Sequence, residues 1–582
     1  MLKRFINFSK RNKPFILIVV LAAIVRFAAI TNVPPSLNWD EVSHGYNAYS
    51  ILKTGKDEWG NYFPVIFRAY GDYKLPVYIY ATTLSLTLFG LNAFAVRLPS
   101  ILAGIITVVF TYLLVNELFG YKSVGIGSEK NSSKRKSQER STALIASLLV
   151  AFEPWSLFLS RAAFEANLAL ALFVSAFFFF LKGLRAPKFL FPAVISFGLT
   201  VWTYNSYRIF TPLFVGIAGF IYRGELLKIF ATNKKIITYY LLLTAFFFLP
   251  MFWQLANSSG QARYGKVTII DEGAIARINE LRNSSKLPGH FPRLIHNKLT
   301  FFTLRYLKNW VSHFGGDFLF FKGGSHYQFN VPNHGLLYPY NIIFLISGVL
   351  LLMKKRSKET NLILMWFYLG FVASSLTREA PHALRSVTVL PTPMIISSYA
   401  VTFLIGWLRG KLRKLFLIGF IAVFIFSAVN YLFAYSNSYR RDYSWSWQYG
   451  YREVVDYIKK NYIGYDKIII TKKYGEPHEF ILFYWSWNPE SYRNDANLNR
   501  FYQSNWYWVD GFDKFYFVND WQIPHSYDED FVLESGNLVT CHLSLVTCLL
   551  ITSPGNYPEG WNKLEIVNFL DGKPAFEIYD NK

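Results

Sequence analysis

Residues 14–30 read PFILIVVLAAIVRFAAI, directly after a segment that carries Lys3, Arg4, Lys10, Arg11 and Lys13. A run of this kind is long enough to cross a bilayer, which takes about 20 apolar residues. It is longer than the apolar core of a signal peptide, and Thr31 to Pro35 offers no small-x-small cleavage pattern. The reading is an uncleaved first span with its basic N-terminus in the cytoplasm, so that the chain emerges outside after Ile30.

Composition agrees with lipid as the solvent. The chain has 582 residues, 52% of them hydrophobic and 19% aromatic, more apolar surface than a soluble domain of this size requires. The formal net charge of +23 is spread in short clusters between apolar runs rather than in one continuous patch. That pattern marks cytoplasmic loops and excludes nucleic acid as a partner.

Counting sides orders the remainder. Gly120 to Ser141 holds Lys122, Lys130, Lys134, Arg135, Lys136 and Arg140, so it is cytoplasmic. Between Ile30 outside and this loop inside only an odd number of crossings fits. The short stretch Leu75 to Leu91 is therefore read as a juxtamembrane or shallow helix, and Leu98 to Leu118 as the second span. Further spans follow near Leu144–Leu159, Leu168–Leu181, Phe189–Tyr204, Ile209–Tyr222, Ile236–Trp253, Leu337–Met353, Leu362–Leu376, Val387–Leu408 and Leu415–Phe433. The expected fold class is a multi-pass α-helical membrane protein of about eleven spans. Basic turns recur on the cytoplasmic side at Lys182 to Lys188, Arg223 to Lys235, Lys354 to Lys358 and Arg409 to Lys414.

This count gives a membrane domain over residues 1–433 with outer loops at 31–97 and 254–335, and an extracytoplasmic C-terminal domain over 434–582. Within the latter, Tyr451 to Asn461 reads as an amphipathic helix, Lys467 to Thr471 as a strand, and Leu564 to Tyr579 as two strands joined at Asp571-Gly572. A small α/β or α+β domain is expected. Cys541 and Cys548, the two cysteines of the chain, pair in an oxidising compartment or stay as two buried thiols.

The polar chemistry concentrates outside. Just past the first span stands Asn38-Trp39-Asp40-Glu41-Val42-Ser43-His44-Gly45-Tyr46. Two adjacent carboxylates at a helix start are commonly there only to complement the helix dipole. Here they are accompanied on the same side of the membrane by Tyr70-Gly71-Asp72-Tyr73-Lys74-Leu75-Pro76-Val77-Tyr78 and by Ala95-Val96-Arg97-Leu98-Pro99-Ser100.

An acidic pair after the first span, a Lys-x-Pro-x-Tyr element and an Arg-Leu-Pro-Ser entry to the second span together resemble the protein O-mannosyltransferase and aminoarabinose transferase group of membrane glycosyltransferases, which have the GT-C fold. Ser160-Arg161-Ala162-Ala163-Phe164-Glu165, Thr203 to Arg208, Pro332 to Tyr338 and Glu379-Ala380-Pro381-His382-Ala383-Leu384-Arg385 resemble later segments of the group. More loosely, so do Tyr484 to Glu490 and Leu570 to Pro574. Where protein mannosyltransferases carry a His-Pro-Pro-like element this chain has Lys74-Leu75-Pro76, and no lectin-like insertion is recognisable in 254–335. A bacterial or archaeal enzyme fits better than a eukaryotic template.

The resemblance implies transfer of a hexose or pentose from a polyprenyl-phosphate-linked donor to an acceptor hydroxyl on protein, lipid or glycan, at the outer membrane face. Such chemistry needs a base for the hydroxyl and cations for the departing phosphate. Asp40 is the expected base and Glu41 its support. Lys74, Arg97, Arg161, Glu165, Arg208, His382 and Arg385 are the expected phosphate and sugar contacts, since arginine grips phosphate through a bidentate fork and lysine as a point charge. His44 is a weaker candidate, an outer-surface histidine being more often a hydrogen-bonding loop residue. Tryptophan-rich and tyrosine-rich outer segments suit carbohydrate stacking and also interfacial anchoring. No metal-ligand spacing is present, so no obligate metal or other cofactor is expected, a divalent cation lacking a ligand cluster. The rival readings are a transporter or flippase of polyprenyl-linked lipids or solutes, and a non-catalytic assembly subunit. A transporter places ionisable groups and helix breaks inside its spans, whereas here the candidates gather at outer ends.

Overall fold

A computed structural model describes residues 12–71, 73–120, 129–257, 261, 265–543 and 545–582, with backbone alone at 120 and 129–137. The basic segment before Asn12, Asp72 of the first outer loop and the 121–128 part of the cytoplasmic loop lie outside the described residues. The chain divides into two compact units, one of residues 1–28 and 100–432, the other of residues 29–99 and 433–582. Residues 29–99, assigned from sequence to the membrane domain, thus cluster with the C-terminal segment. The reason is packing: their apolar side chains are buried against residues 433–582, as described below.

The first unit is helical. Among the described residues five helices are long and apolar enough to cross a membrane, Ala93–Phe119, Glu165–Gly183, Lys234–Ala256, Val387–Trp407 and Gly410–Asp442. Several other expected spans are helical but shorter, such as Lys13–Phe27, Asn205–Ile221, Asn341–Lys355 and Lys358–Leu369, so the count of eleven is not reproduced by length and composition. The helix expected from Leu144 begins at Glu129, within the basic stretch read as a loop. Lys234–Ala256 leaves Tyr239, Leu242, Phe246, Leu249 and Trp253 exposed, and Gly410–Ala434 leaves Leu415, Ile418, Phe426 and Phe433 exposed. Such faces are stable only against hydrocarbon or another apolar partner. Inside, Phe173, Phe177, Phe210, Phe214 and Trp366 form an aromatic core, with the Phe173 and Trp366 rings 5.1 Å apart in an edge arrangement.

The second unit is built on a seven-stranded mixed sheet. Its strands are numbered with the small hairpins: β1 (Phe67–Arg68), β2 (Tyr73–Lys74), β3 (Lys467–Thr471), β4 (Asn499–Gln503), β5 (Trp506–Phe512), β6 (Phe515–Val518), β7 (Phe531–Val532), β8 (Leu538–Val539), β9 (Cys548–Thr552), β10 (Asn562–Asn568) and β11 (Pro574–Asp580). The order is β10-β11-β9-β3-β6-β5-β4, with β3 parallel to both β6 and β9 and the outer pairs antiparallel. The central β3 is Ile-rich and buried, as a strand flanked by parallel neighbours must be. The helix Tyr451–Asn461 turns Tyr451, Val454, Val455 and Ile458 inward at helical spacing, and Tyr451 stacks on Phe480 of helix Pro477–Trp485 at 4.1 Å. The first helix, β3 and the β10–β11 hairpin, with Gly572 in the left-handed region at its turn, agree with the sequence reading. Strands β4, β5, β6 and β9 and helix Pro477–Trp485 were not anticipated. Cys541 and Cys548 form a disulfide.

Helix Trp39–Thr54 belongs to this unit. It is buried on nearly all sides from Glu41 to Ser50, so no solvent-facing stripe remains. Gly45 marks its closest approach: a Cβ there would stand 2.4 Å from the Phe483 ring and 2.8 Å from Val96. The 14-residue helix Pro76–Phe89 packs on it through Ile79 and Leu86, against Ala48 and Ile51.

Candidate functional site

Asn38 opens helix Trp39–Thr54 with a capping box, its Oδ1 accepting from Glu41 N–H at 3.0 Å while its own N–H donates to Glu41 Oε2 at 3.1 Å. This fixes the first turn and separates the two carboxylates. Glu41 points inward and is wholly buried. Asp40, about 100° round the helix, keeps half of its side chain exposed and pairs with Lys74 Nζ at 3.0 Å.

Glu41 meets Arg97. The guanidinium donates from Nε to Glu41 Oε1 at 2.9 Å and from Nη2 to Oε2 at 3.0 Å. Its other N–H groups go to the carbonyls of Ile30 at 2.7 Å, Pro34 at 3.1 Å and Ser36. All five donors of Arg97 are committed to protein, and the side chain is fully buried. These contacts tie Arg97 to Glu41 and to the segment leading into Asp40.

Lys74 stands at the end of β2, where pairing with β1 sets its direction. Its side chain is 9% exposed and its Nζ also donates to the Asp40 carbonyl at 3.3 Å. The Tyr70 ring lies 5.3 Å from that Nζ, and Tyr70 O–H donates to the Trp39 carbonyl at 2.8 Å. His44, one turn beyond Asp40, is buried with its ring 5.2 Å from Tyr78. Burial first, then Lys74, holds its pKa well below the ordinary value, so the imidazole is neutral.

Around Lys74 the tertiary structure gathers groups that the sequence reading passed over. Glu58 and Glu479 are buried; burial raises both carboxyls, Glu479 strongly, and the negative charge of Glu58 adds to the rise at Glu479. Glu476 accepts from Trp506 Nε1 at 2.6 Å and is pushed up by burial to about 8. Its neighbour His478, 3.5 Å away, is pushed down by burial to about 3. Lys472 forms a buried ion pair with Asp510. Trp506 stacks against Tyr70 at 5.8 Å and lies 6.0 Å from Trp508, beside the Asp40–Lys74 pair. The signal for part of this cluster was Gly475-Glu476-Pro477-His478-Glu479, two acids and a histidine around a helix-starting proline.

The remaining candidates lie in the helical unit. Arg161 donates to the carbonyls of Val25, Arg26 and Ala28, the last at 2.6 Å, and so caps the end of helix Lys13–Phe27. Arg208 donates to Val201 O at 3.1 Å and to Gln254 Oε1 at 2.5 Å. Both are buried, with these donors given to structure. Glu165 starts helix Glu165–Gly183. Arg385 donates to Glu379 Oε2 at 2.7 Å and Thr377 Oγ1 at 3.1 Å, and His382 Nδ1 accepts from Arg385 N–H at 3.3 Å. His326, Glu379 and His382 bring ligand atoms within 4.8 Å of one another, a grouping that linear spacing did not reveal because two separate segments supply it.

The family profile described as dolichyl-phosphate-mannose-protein mannosyltransferase matches residues 74–128, the stretch that holds Lys74 and Arg97. No curated protein sequence matches the chain. Among solved structures, ArnT from Cupriavidus metallidurans bound to undecaprenyl phosphate is similar with a TM-score of 0.51 at 11% identity, over 97% of this chain and 98% of that one. Its apo form gives 0.50 at 11% identity, with 97% of each chain covered. The archaeal oligosaccharyltransferase AglB from Archaeoglobus fulgidus, in complex with an inhibitory peptide and a dolichol-phosphate, gives 0.49 at 13% identity over 82% of this chain. The chain spans 64% of that enzyme's length.

Proposed function

We propose that this chain, which has the GT-C fold and resembles the membrane glycosyltransferases of the protein mannosyltransferase and ArnT group, is itself a glycosyltransferase that uses a polyprenyl-phosphate-linked sugar and an acceptor hydroxyl. The observation that carries this reading is the half-exposed Asp40 ion-paired to a nearly buried Lys74, on a helix start held rigid by Glu41 and Arg97.

In the resting pair Lys74 neutralises Asp40. An incoming phosphate competes for the ammonium, which binds it as a compact charge, and Asp40 is left as a carboxylate beside the sugar. The acceptor oxygen then attacks the anomeric carbon as the bond to the phosphate oxygen breaks. The hydroxyl proton passes to Asp40, and the electron pair leaves with the phosphate, whose growing charge Lys74 stabilises. One displacement inverts the anomeric centre. Trp506, Tyr70 and Trp508 supply ring faces for the sugar. Arg97, Arg161 and Arg208 serve the scaffold in this reading, while Glu165, His382 and Arg385 are outer-side contacts of donor or acceptor.

The reaction is assigned to the outer face of the membrane, with the N-terminus cytoplasmic and residues 434–582 outside. The test is mass spectrometry of glycans and lipid-linked sugars from cells with and without the gene. Loss of one sugar with accumulation of its lipid-linked donor supports the reading; an unchanged glycan and lipid profile removes it.

A further inference from the structure

We propose that a second polar cavity, lined by Arg440, Arg452, Glu453 and Asp456 and separate from the Asp40–Lys74 pair, binds the headgroup of a phospholipid that carries both a phosphate and a primary ammonium, a phosphatidylethanolamine. The inference rests on the outer-surface placement of residues 29–99 and 433–582 and needs no transfer chemistry.

The cavity has a volume of about 410 Å³ and lies wholly within the second compact unit, a size common among small-molecule sites. Its chain segments border apolar helices. Thr31 and Asn32 follow helix Lys13–Phe27, Asn92 and Ala93 stand at the start of Ala93–Phe119, and Arg440 comes at the end of Gly410–Asp442. A ligand here sits where apolar spans give way to polar chain, the level of lipid headgroups. Leu91 also lines the cavity, just past helix Pro76–Phe89, on which Leu84 and Leu88 are 70% and 76% exposed. Four residues apart, these two share one helix face, and that face offers acyl chains an apolar surface.

The charges of the cavity match a zwitterion. Arg440 gives its Nε–H to the Asn32 carbonyl at 2.9 Å, which fixes the guanidinium and leaves its two Nη groups without a protein partner among the described residues. Arg452 stands in the first turn of helix Tyr451–Asn461, where a cation opposes the helix dipole. Its contact with Asp456 is 4.0 Å long and runs in the less favourable order for an i,i+4 pair, so helix stability does not account for it. Gly450 opens that helix with no side-chain cap, and the helix start adds partial positive charge beside Arg452. A phosphate fits this end. Glu453 and Asp456 lie on the helix face left by the buried Val454, Val455 and Ile458, and Asp456 is one turn, about 5 Å, beyond Arg452. A two-carbon link between phosphate and ammonium spans about that length. Both carboxylates accept hydrogen bonds from a primary ammonium, which a quaternary choline cannot donate, and both repel an anionic lipid that has no ammonium.

The test is native mass spectrometry of the purified full chain in detergent, titrated with phosphatidylethanolamine, phosphatidylcholine and phosphatidylglycerol of identical acyl chains. Phosphatidylethanolamine should bind about 10-fold more tightly than either of the others, the worth of one charge-assisted hydrogen bond. Arg440→Ala and Arg452→Ala should each weaken the first lipid step for all three about 10-fold. The double variant Glu453→Gln, Asp456→Asn should keep the phosphate contacts and lose the preference, bringing phosphatidylethanolamine and phosphatidylglycerol within about 2-fold of each other. These side chains are exposed or half-exposed, and unchanged melting temperatures show that each variant is folded. Equal binding of the three lipids by the parent, or a preference for phosphatidylethanolamine that survives in the double variant, overturns the assignment. Competition by water-soluble glycerophosphoethanolamine at the affinity of the lipid assigns the cavity to a soluble ligand and overturns the lipid as its occupant.

Discussion

Glu41 and Arg97 are joined by a two-pronged ion pair, Nε to Oε1 at 2.9 Å and Nη2 to Oε2 at 3.0 Å, with both side chains closed to solvent. The pair connects the first turn of the helix that presents Asp40 to the N-terminal end of helix Ala93–Gly120 and, through the Ile30, Pro34 and Ser36 carbonyls, to the segment that leads into Asp40. Removing one partner strands a buried charge, which costs about 3–5 kcal/mol. Arg97→Ala should therefore reduce the yield and melting temperature of folded protein as well as turnover. Normal thermal stability in that variant, measured by intrinsic fluorescence in detergent, would return Arg97 to a role in substrate binding.

Asp40 invites the opposite expectation. Its side chain is half exposed, so Asp40→Asn costs little in stability and removes the base. Turnover should fall about 10²- to 10⁴-fold, with binding of polyprenyl phosphate retained. The parent enzyme's product should carry the anomeric configuration opposite to the donor's. Transfer at near-parental rate, or retention of configuration by NMR of the product, rules the mechanism out.

Lys74 should act on the phosphate. Lys74→Ala removes the cation that the leaving group needs and should lower kcat/KM about 10²- to 10³-fold, while also weakening equilibrium binding of polyprenyl phosphate alone. A variant that binds the lipid phosphate as tightly as the parent would assign the phosphate to another cation.

Glu476 and His478 give the fold a pH dependence of defined sign. The native pKa of Glu476, about 8, lies above its ordinary 4.5, so its stabilising contribution is complete below about pH 4.5, declines as pH rises and is gone above about pH 8. The native pKa of His478, about 3, lies below its ordinary 6.5, so its contribution is complete above about pH 6.5 and is lost as pH falls through about 3. Glu476→Gln preserves the acceptor for Trp506 and removes the alkaline loss. Its melting temperature should match the parent's near pH 5 and exceed it near pH 9. Parallel melting curves for the two proteins across that range contradict the burial of a neutral carboxyl there.

Topology is open to labelling. Ser132 and Ser446 fall on opposite sides by the charge count, and the two native cysteines are paired with each other. Single cysteines at these positions should react with an impermeant reagent from opposite sides of the membrane. Labelling of both in intact cells overturns the count.

Local pattern carried the helix Tyr451–Asn461, strand Lys467–Thr471 and the hairpin around Gly572, because each shows its period within a few turns of chain. The same holds for the apolar helices. Strands β4 to β6 were missed: Asn499–Val518 is aromatic and polar by turns, and only pairing beside β3 shows which faces are buried.

What the linear order of residues determined by itself was the solvent: apolar runs of bilayer length demand lipid. How each charged group is engaged was decided by the tertiary structure alone. Arg97 and Lys74 look alike in the sequence, yet one has every donor consumed by Glu41 and three carbonyls while the other keeps its ammonium against a half-exposed carboxylate. Likewise Glu58 and Glu479, far apart along the chain, have their carboxyls raised only because folding removes water from both. Desolvation and hydrogen-bond saturation are properties of a residue's neighbours in space, and the neighbours of these residues come from distant parts of the chain.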